Sequence, residues 1–261
     1  MHEVTHIVVA GKRLETAYVG DGDLSAPTLV MLHEGLGCVG MWKDFPQKLH
    51  EATGRNVFLY SRAGYGRSAP VVLPRPLRYM HHEGLDVLPQ VLDAAGLTNV
   101  ILLGHSDGGS IALINAGGVA DPRVKGVVTM AAHVFNEEVC VKSIAEAKVA
   151  YESANLKVGL AKYHGENVDN AFWGWNGAWL DPDFMNWNLE EYLPTITVPV
   201  LALQGREDQY GTDRQLYAIL NGIGEGADGE FIENCRHSPH FDQPDVVLKV
   251  VSSFVSKLWD S

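Results

Sequence analysis

The feature that most constrains this chain is a set of short apolar runs that do not alternate. "TLVML" at Thr28–Leu32, "NVFLY" at Asn56–Tyr60, "NVILLGH" from Asn99 and "PVLALQG" from Pro199 carry almost no polar residue at every second position. A strand with one wet face alternates, whereas a strand buried on both faces reads as a continuous apolar run. Between these runs lie stretches with helical spacing, at 41–52, 77–95, 106–116, 213–220 and 243–257. Strands are expected at 5–10, 13–19, Thr28–Leu32, Asn56–Tyr60, 99–103, Val124–Met130, 198–203 and 229–232. Strand and helix in repetition predict βαβ units, hence a mostly parallel sheet with helices on both faces. The first two strands, joined by a short turn around Gly11, are close enough to pair as an antiparallel hairpin at one edge.

The alternation breaks between about 135 and 194. This stretch holds Trp173, Trp175, Trp179 and Trp187 out of 6 tryptophans in the chain, with Phe172, Phe184, Tyr151, Tyr163 and Tyr192 beside them. It reads as helical at first ("NEEVCVKSIAEAKVAYE") and then irregular. A segment of roughly sixty residues with this aromatic load buries too little surface to stand alone. The expected organisation is a core of 1–134 and 195–261, with 135–194 inserted as a small helical cap or lid.

The formal net charge of −12 argues against nucleic acid and anionic membrane surfaces as partners. No window approaches eighteen uninterrupted apolar residues, about what a transmembrane helix needs. The first residues, "MHEVTHIVVAGKRLE", lack a basic segment followed by an apolar one, so a cytoplasmic location is expected. Cys38, Cys140 and Cys235 are odd in number and far apart, which suits free thiols rather than a disulfide framework or a metal site. His81-His82 lacks the i, i+4 spacing of a helical metal pair and has no further ligands in view.

The chemistry concentrates at Gly104-His105-Ser106-Asp107-Gly108, a G-x-S-x-G run. It follows an expected strand and opens an expected helix. A sharp turn there holds a serine in a strained backbone, and small residues on either side make room for it. The hydroxyl then projects above the carboxyl end of the sheet, where open α/β sheets keep their sites. Serine needs a base, and the base needs an orienting acid. "VLALQGREDQYG" ends an expected strand in a loop with Glu207 and Asp208. "GEFIENCRHSPHFDQPD" ends another in a loop with His237 and His240. All of them lie past the carboxyl end of a strand, on the rim that carries Ser106.

With these residues the chain resembles the α/β-hydrolase-fold enzymes over nearly its whole length. "LHEGLG", "SRAGYGRS", "GHSDGG", "GREDQYG" and "CRHSPHFDQPDVVLKVVSSFV" carry the resemblance. The family's last motif usually reads G-H, four residues, an acid, one residue, and proline. Arg236 stands in place of the glycine here, while His237, Asp242 and Pro244 match. The resemblance therefore implies His237 as base, Asp208 as orienting acid and Ser106 as nucleophile. His240 is left to packing, Glu207 to solvent, and Asp213 to the start of a helix. Arg62 is expected to brace the strand-end loop rather than touch substrate. The oxyanion donors are implied at the backbone N–H groups of Asp107 and Gly35, with Leu36 as the alternative because Glu34 stands where relatives often have glycine. Glu34 is expected to be a solvated loop residue, with a side chain pointing toward the pocket as the alternative.

These residues imply a serine hydrolase of small or medium carboxylic esters or lactones, working through an acyl-enzyme without metal or cofactor. The same triad also serves carbon–carbon bond hydrolases and α-amino acid ester hydrolases. A related non-catalytic protein that only binds a small ligand is the third reading. The partner expected is a small ester-like molecule, with a homo-oligomer left open. Asp107 keeps three readings: a helix-capping carboxylate, a backbone donor only, or an anchor for a substrate ammonium, as the likeness of "SDGG" to amino acid ester hydrolases of the valacyclovir-hydrolase type suggests.

Overall fold

The computed structural model describes residues 3–23, 26–153 and 155–259. The non-alternating runs lie side by side, as burial on both faces demands. In chain order the elements are β1 (Glu3–Val9), β2 (Lys12–Val19), β3 (Thr28–Leu32), α1 (Phe45–Thr53), β4 (Asn56–Tyr60), α2 (Tyr79–His82), α3 (Leu88–Ala94), β5 (Val100–His105), α4 (Asp107–Gly118), β6 (Val124–Met130), α5 (Glu138–Glu152), α6 (Asn155–His164), α7 (Val168–Trp179), β7 (Val200–Gly205), α8 (Asp213–Ile223), β8 (Ala227–Ile232), α9 (Pro239–Asp242) and α10 (Pro244–Trp259).

The strands form an 8-stranded sheet in the order β1-β2-β4-β3-β5-β6-β7-β8. β1 and β2 make the expected antiparallel hairpin, β2 also runs antiparallel to β4, and the remaining neighbours are parallel. Every residue of β3, β4, β5 and β7 is buried. The edge strand β8 is mostly exposed. One face packs Leu29, Met31, Ile101 and Leu103 against α1 and α10 through Phe45, Leu49, Val247 and Val251. The other packs Val30, Leu102 and Val127 against α3, α4 and α8. The aromatic side chains Phe172, Trp175, Trp179, Phe184 and Trp187 join that second cluster, so the segment between β6 and β7 shares the core of the sheet. Among the described residues no helix is long and apolar enough to cross a membrane.

Three local expectations are corrected. The helix expected over 41–52 is a 3-10 turn (Val39–Trp42) followed by α1, with Lys43 between them at φ 54 and Pro46 in the first turn of α1. The helix expected over 77–95 is interrupted by a π-helical turn at Glu83–Val87. Pro89 cannot donate to the helical ladder, and Asn115 Nδ2 donates to the Gly84 carbonyl (2.9 Å), which together favour the widened turn. The tryptophan-rich stretch is irregular only beyond Trp179: Trp173, Trp175 and Trp179 lie on α7, and Trp187 follows a 3-10 turn at Pro182–Asn186. Val168, Ala171, Phe172, Trp175 and Trp179 fall on the buried face of α7 at helical spacing.

Candidate active site

β5 is central in the sheet and delivers Ser106 to its carboxyl end. Ser106 has φ 52 and ψ −119, a region non-glycine residues avoid. Its strain is held by packing. A Cβ on Gly104 would lie 2.2 Å from the Gly108 carbonyl oxygen, and one on Gly108 only 2.0 Å from Leu32 O. The missing side chains let the elbow close and press α4 onto the end of β3. That contact sets the loop after β3 beside Ser106.

The loops expected to carry the acid and the base meet in a similar way. A Cβ on Gly205 would sit 2.1 Å from Arg236 O, so the end of β7 lies against the loop after β8. Glu207 N donates to Cys235 O (2.9 Å), and Arg236 N donates to Asp242 Oδ2 (2.8 Å), which shapes the turn that carries His237. His237 Nε2 is then 3.0 Å from Ser106 Oγ, and His237 Nδ1 is 2.8 Å from Asp208 Oδ1. Tyr210 N donates to the same Asp208 oxygen at 2.9 Å. Burial alone would push the Asp208 carboxyl up. The His237 ring, the Tyr210 N–H and nearby His133 outweigh it and hold the group below its ordinary value. An ionised Asp208 fixes the tautomer with a proton on Nδ1, leaving Nε2 free to accept from the serine. Thus Ser106, His237 and Asp208 come together in one hydrogen-bonded line. Glu207 and Asp213 are exposed and outside it. His240 is buried against Trp42, Phe45 and His105.

In the loop after β3, Gly37 N donates to Glu34 O (3.1 Å), which closes a turn. The N–H groups of Gly35 and Leu36 have no hydrogen-bond acceptor within the described residues, and the N–H of Asp107, at the first turn of α4, has no intrahelical one. Arg62 is fully buried. It donates to the carbonyls of His33 and Glu34, and its backbone N–H donates to His33 Nε2. The brace expected of it therefore falls on the loop after β3.

Two side chains differ from their expected settings. Glu34 is not simply solvated. Its Oε2 folds back toward Gly37 and lies 3.5 Å from His105 Nδ1. Burial opposes its charge, but His105 and His33 prevail and hold its carboxyl well below the usual range. Asp107 does not cap α4, whose N-terminus has no side-chain cap. Its Oδ2 instead accepts from Tyr79 Oη at 2.5 Å and lies 3.9 Å from Arg62 Nη2. The carboxylate is wholly buried.

Above the serine lies a cavity of about 240 Å³, walled by Leu36, Met41, Cys140, Ile144, Leu156, Leu160, Trp175 and Trp179, with Ser106 and His237 at its floor. The sequence reading missed Tyr79, whose hydroxyl also accepts from Trp179 Nε1 (3.0 Å). It also missed two histidines. His105 Nε2 donates to His237 O (2.7 Å), tying the elbow to the base loop. His164, at the end of α6, takes the Gly66 N–H on Nδ1 (2.9 Å) and donates from Nε2 to Leu36 O (2.8 Å). The place of His105 inside the G-x-S-x-G run was the one available signal. Tyr79 and His164 stand in no motif.

Comparison with known proteins agrees with this architecture. Residues 29–250 match the family model of the alpha/beta hydrolase family. RutD of Azorhizobium caulinodans, a carbamate hydrolase by name, is 36% identical over 103 residues, 37% of each chain. A proline iminopeptidase of Lactobacillus delbrueckii subsp. lactis is 31% identical over 112 residues, 43% of this chain and 37% of the relative. The chain thus aligns with well under half the length of these curated relatives. The esterase EaEST from Exiguobacterium antarcticum superposes with a TM-score of 0.78 at 22% identity, covering 97% of this chain and 100% of the esterase. The enol-lactonase from Burkholderia xenovorans LB400 gives 0.77 at 21% identity, with the same coverage of 97% and 100%. At such identities the superpositions speak for the fold. The family model spans most of the sheet and the helices on both its faces, so the chain belongs to the alpha/beta hydrolase family.

Proposed function

We propose that this protein is a serine hydrolase of small or medium carboxylic esters or lactones, with 135–194 as a cap over the site. One observation carries the reading: the Ser106–His237–Asp208 line, at 3.0 and 2.8 Å, ends at the floor of an apolar cavity. The names of the esterase and enol-lactonase of like fold point the same way.

In this reading Ser106 Oγ attacks the substrate carbonyl while His237 Nε2 takes its proton. The new C–O bond creates an oxyanion, which the N–H groups of Asp107 and Gly35 receive. Asp208 stabilises the imidazolium as it forms. As the bond to the leaving alkoxide breaks, His237 hands it the proton and the alcohol departs. Water then attacks the acyl-enzyme, deprotonated by the same nitrogen, and the acid and free Ser106 are released. The cavity volume suits a short acyl group, and its apolar walls desolvate the reacting carbonyl.

The test is turnover of short-chain aryl esters and lactones, with an aryl phosphonate probe for a reactive serine. Wild type should turn over at least one of these substrates and be labelled at Ser106. Ser106→Ala should lose on the order of 10⁴-fold or more in kcat and all labelling. A Ser106→Ala variant that hydrolyses at the wild-type rate, or a wild type that neither labels nor turns over, refutes the reading.

A further inference from the structure

We infer that helix α7 is a working part of the oxyanion hole, with Trp175 and Trp179 as positioning residues for its two donors. The inference rests on the serine-hydrolase reading above. Trp175 and Trp179 stand one turn apart on α7, and both are buried. The Cδ1–Nε1 edge of Trp175 lies against the α-carbon of Gly35, so closely that a Cβ there would be 2.2 Å from either atom. Trp179 reaches the other donor. Its Nε1 donates to Tyr79 Oη (3.0 Å), which donates to Asp107 Oδ2 (2.5 Å). The ring then closes. Arg62 Nη2 is 3.9 Å from that same carboxylate oxygen and donates to Glu34 O at 3.0 Å, directly before Gly35.

One helix thus contacts Gly35 directly through Trp175 and reaches the side chain of Asp107 through Trp179 and Tyr79. Oxyanion stabilisation depends on donors placed within tenths of an ångström before the charge develops. A helix in contact with one donor residue and hydrogen-bonded through Tyr79 to the side chain of the other fixes their relative placement, and the buried hydrogen bonds from Trp179 to Tyr79 to Asp107 resist drift. Trp179 is one wall among several in the cavity, and Tyr79 does not line it. Loosening this ring should therefore lower kcat and leave KM nearly unchanged.

Trp179→Phe keeps an aromatic ring against Phe184 and Trp187 but removes the N–H. Tyr79→Phe removes the hydroxyl at the next link and serves where Trp179→Phe folds poorly. For each, kcat and KM on a short aryl ester and the rate of Ser106 phosphonylation are read well below the thermal midpoint. Both variants should lose about tenfold or more in kcat and in labelling rate, with KM within about twofold. The double variant should be little worse than either single one, since both break one chain of contacts. Unchanged kcat in a folded variant overturns the inference. So does a rise in KM alone, the mark of a helix that only shapes the pocket. A wild type that does not label removes the serine-hydrolase reading itself, and the inference falls with it.

Discussion

At the scale of the residue, Asp107 is the informative position. A carboxylate directly after the candidate nucleophile suits a capping role, a backbone role, or recognition of a substrate ammonium. In the fold its side chain is committed to Tyr79 and lies beside Arg62, so its charge is already answered by a buried guanidinium. Asp107→Ala should leave both partners uncompensated. It is expected to cost about 3–5 kcal/mol of stability, the range for breaking a buried charged pair. It should also reduce hydrolysis of neutral esters and of α-amino acid esters by the same factor. Kinetics on matched ester pairs check this, and a loss confined to amino acid esters would restore the ammonium reading.

At the scale of the element, the site is assembled by close contacts between strand ends. The turn at Ser106 is placed by α4 pressing on β3 at Gly108, and that contact brings the loop after β3 alongside Ser106. The atom a Cβ would strike is a backbone carbonyl, Leu32 O, which has no flexible end to give way. Gly108→Ala is therefore expected to cost about 3 kcal/mol or more, read from denaturant midpoints, and to lower activity even where the protein stays folded. A neutral outcome in both measurements would contradict this account of how the loop is placed. Helix α7 belongs to the same scale. Its period was present in the sequence, at Val168, Ala171, Phe172, Trp175 and Trp179. The glycines at Gly174 and Gly177 and the dense aromatics obscured it, because glycine weakens helices in water. Packing against the sheet decides the conformation here, as it does for most helices in proteins.

At the scale of the whole molecule, burying rings that in water take up a proton below about pH 6.5 makes stability depend on pH. Burial lowers the pKa of His33, His133 and His240, and neighbours add to it: Arg62 for His33, His237 for His133, and His105 for His240. The unfolded chain holds protons on these rings that the folded one releases. Stability is thus full above the ordinary histidine value, about 6.5, and declines as the pH drops from there toward the lower folded values. The thermal midpoint should be flat near pH 7–8 and fall below about pH 6.5. His240→Gln should fall less steeply over the same range. A wild-type midpoint constant down to about pH 5 would show that these rings titrate as they do in the unfolded chain.

By itself the sequence determined the class of fold, since strands without polar alternation can only lie inside a layered parallel sheet. It also determined which short stretches reach the carboxyl rim, because a motif such as G-x-S-x-G carries its own local geometry. The full course of α7 and the settings of Glu34 and Asp107 were decided only by the tertiary structure. Asp107 finds Tyr79 at a sequence separation of 28 residues and Arg62 at 45, and Tyr79 in turn finds Trp179 at 100. No local pattern encodes such contacts. They exist because desolvated charges and N–H groups must find partners wherever the packed chain brings them.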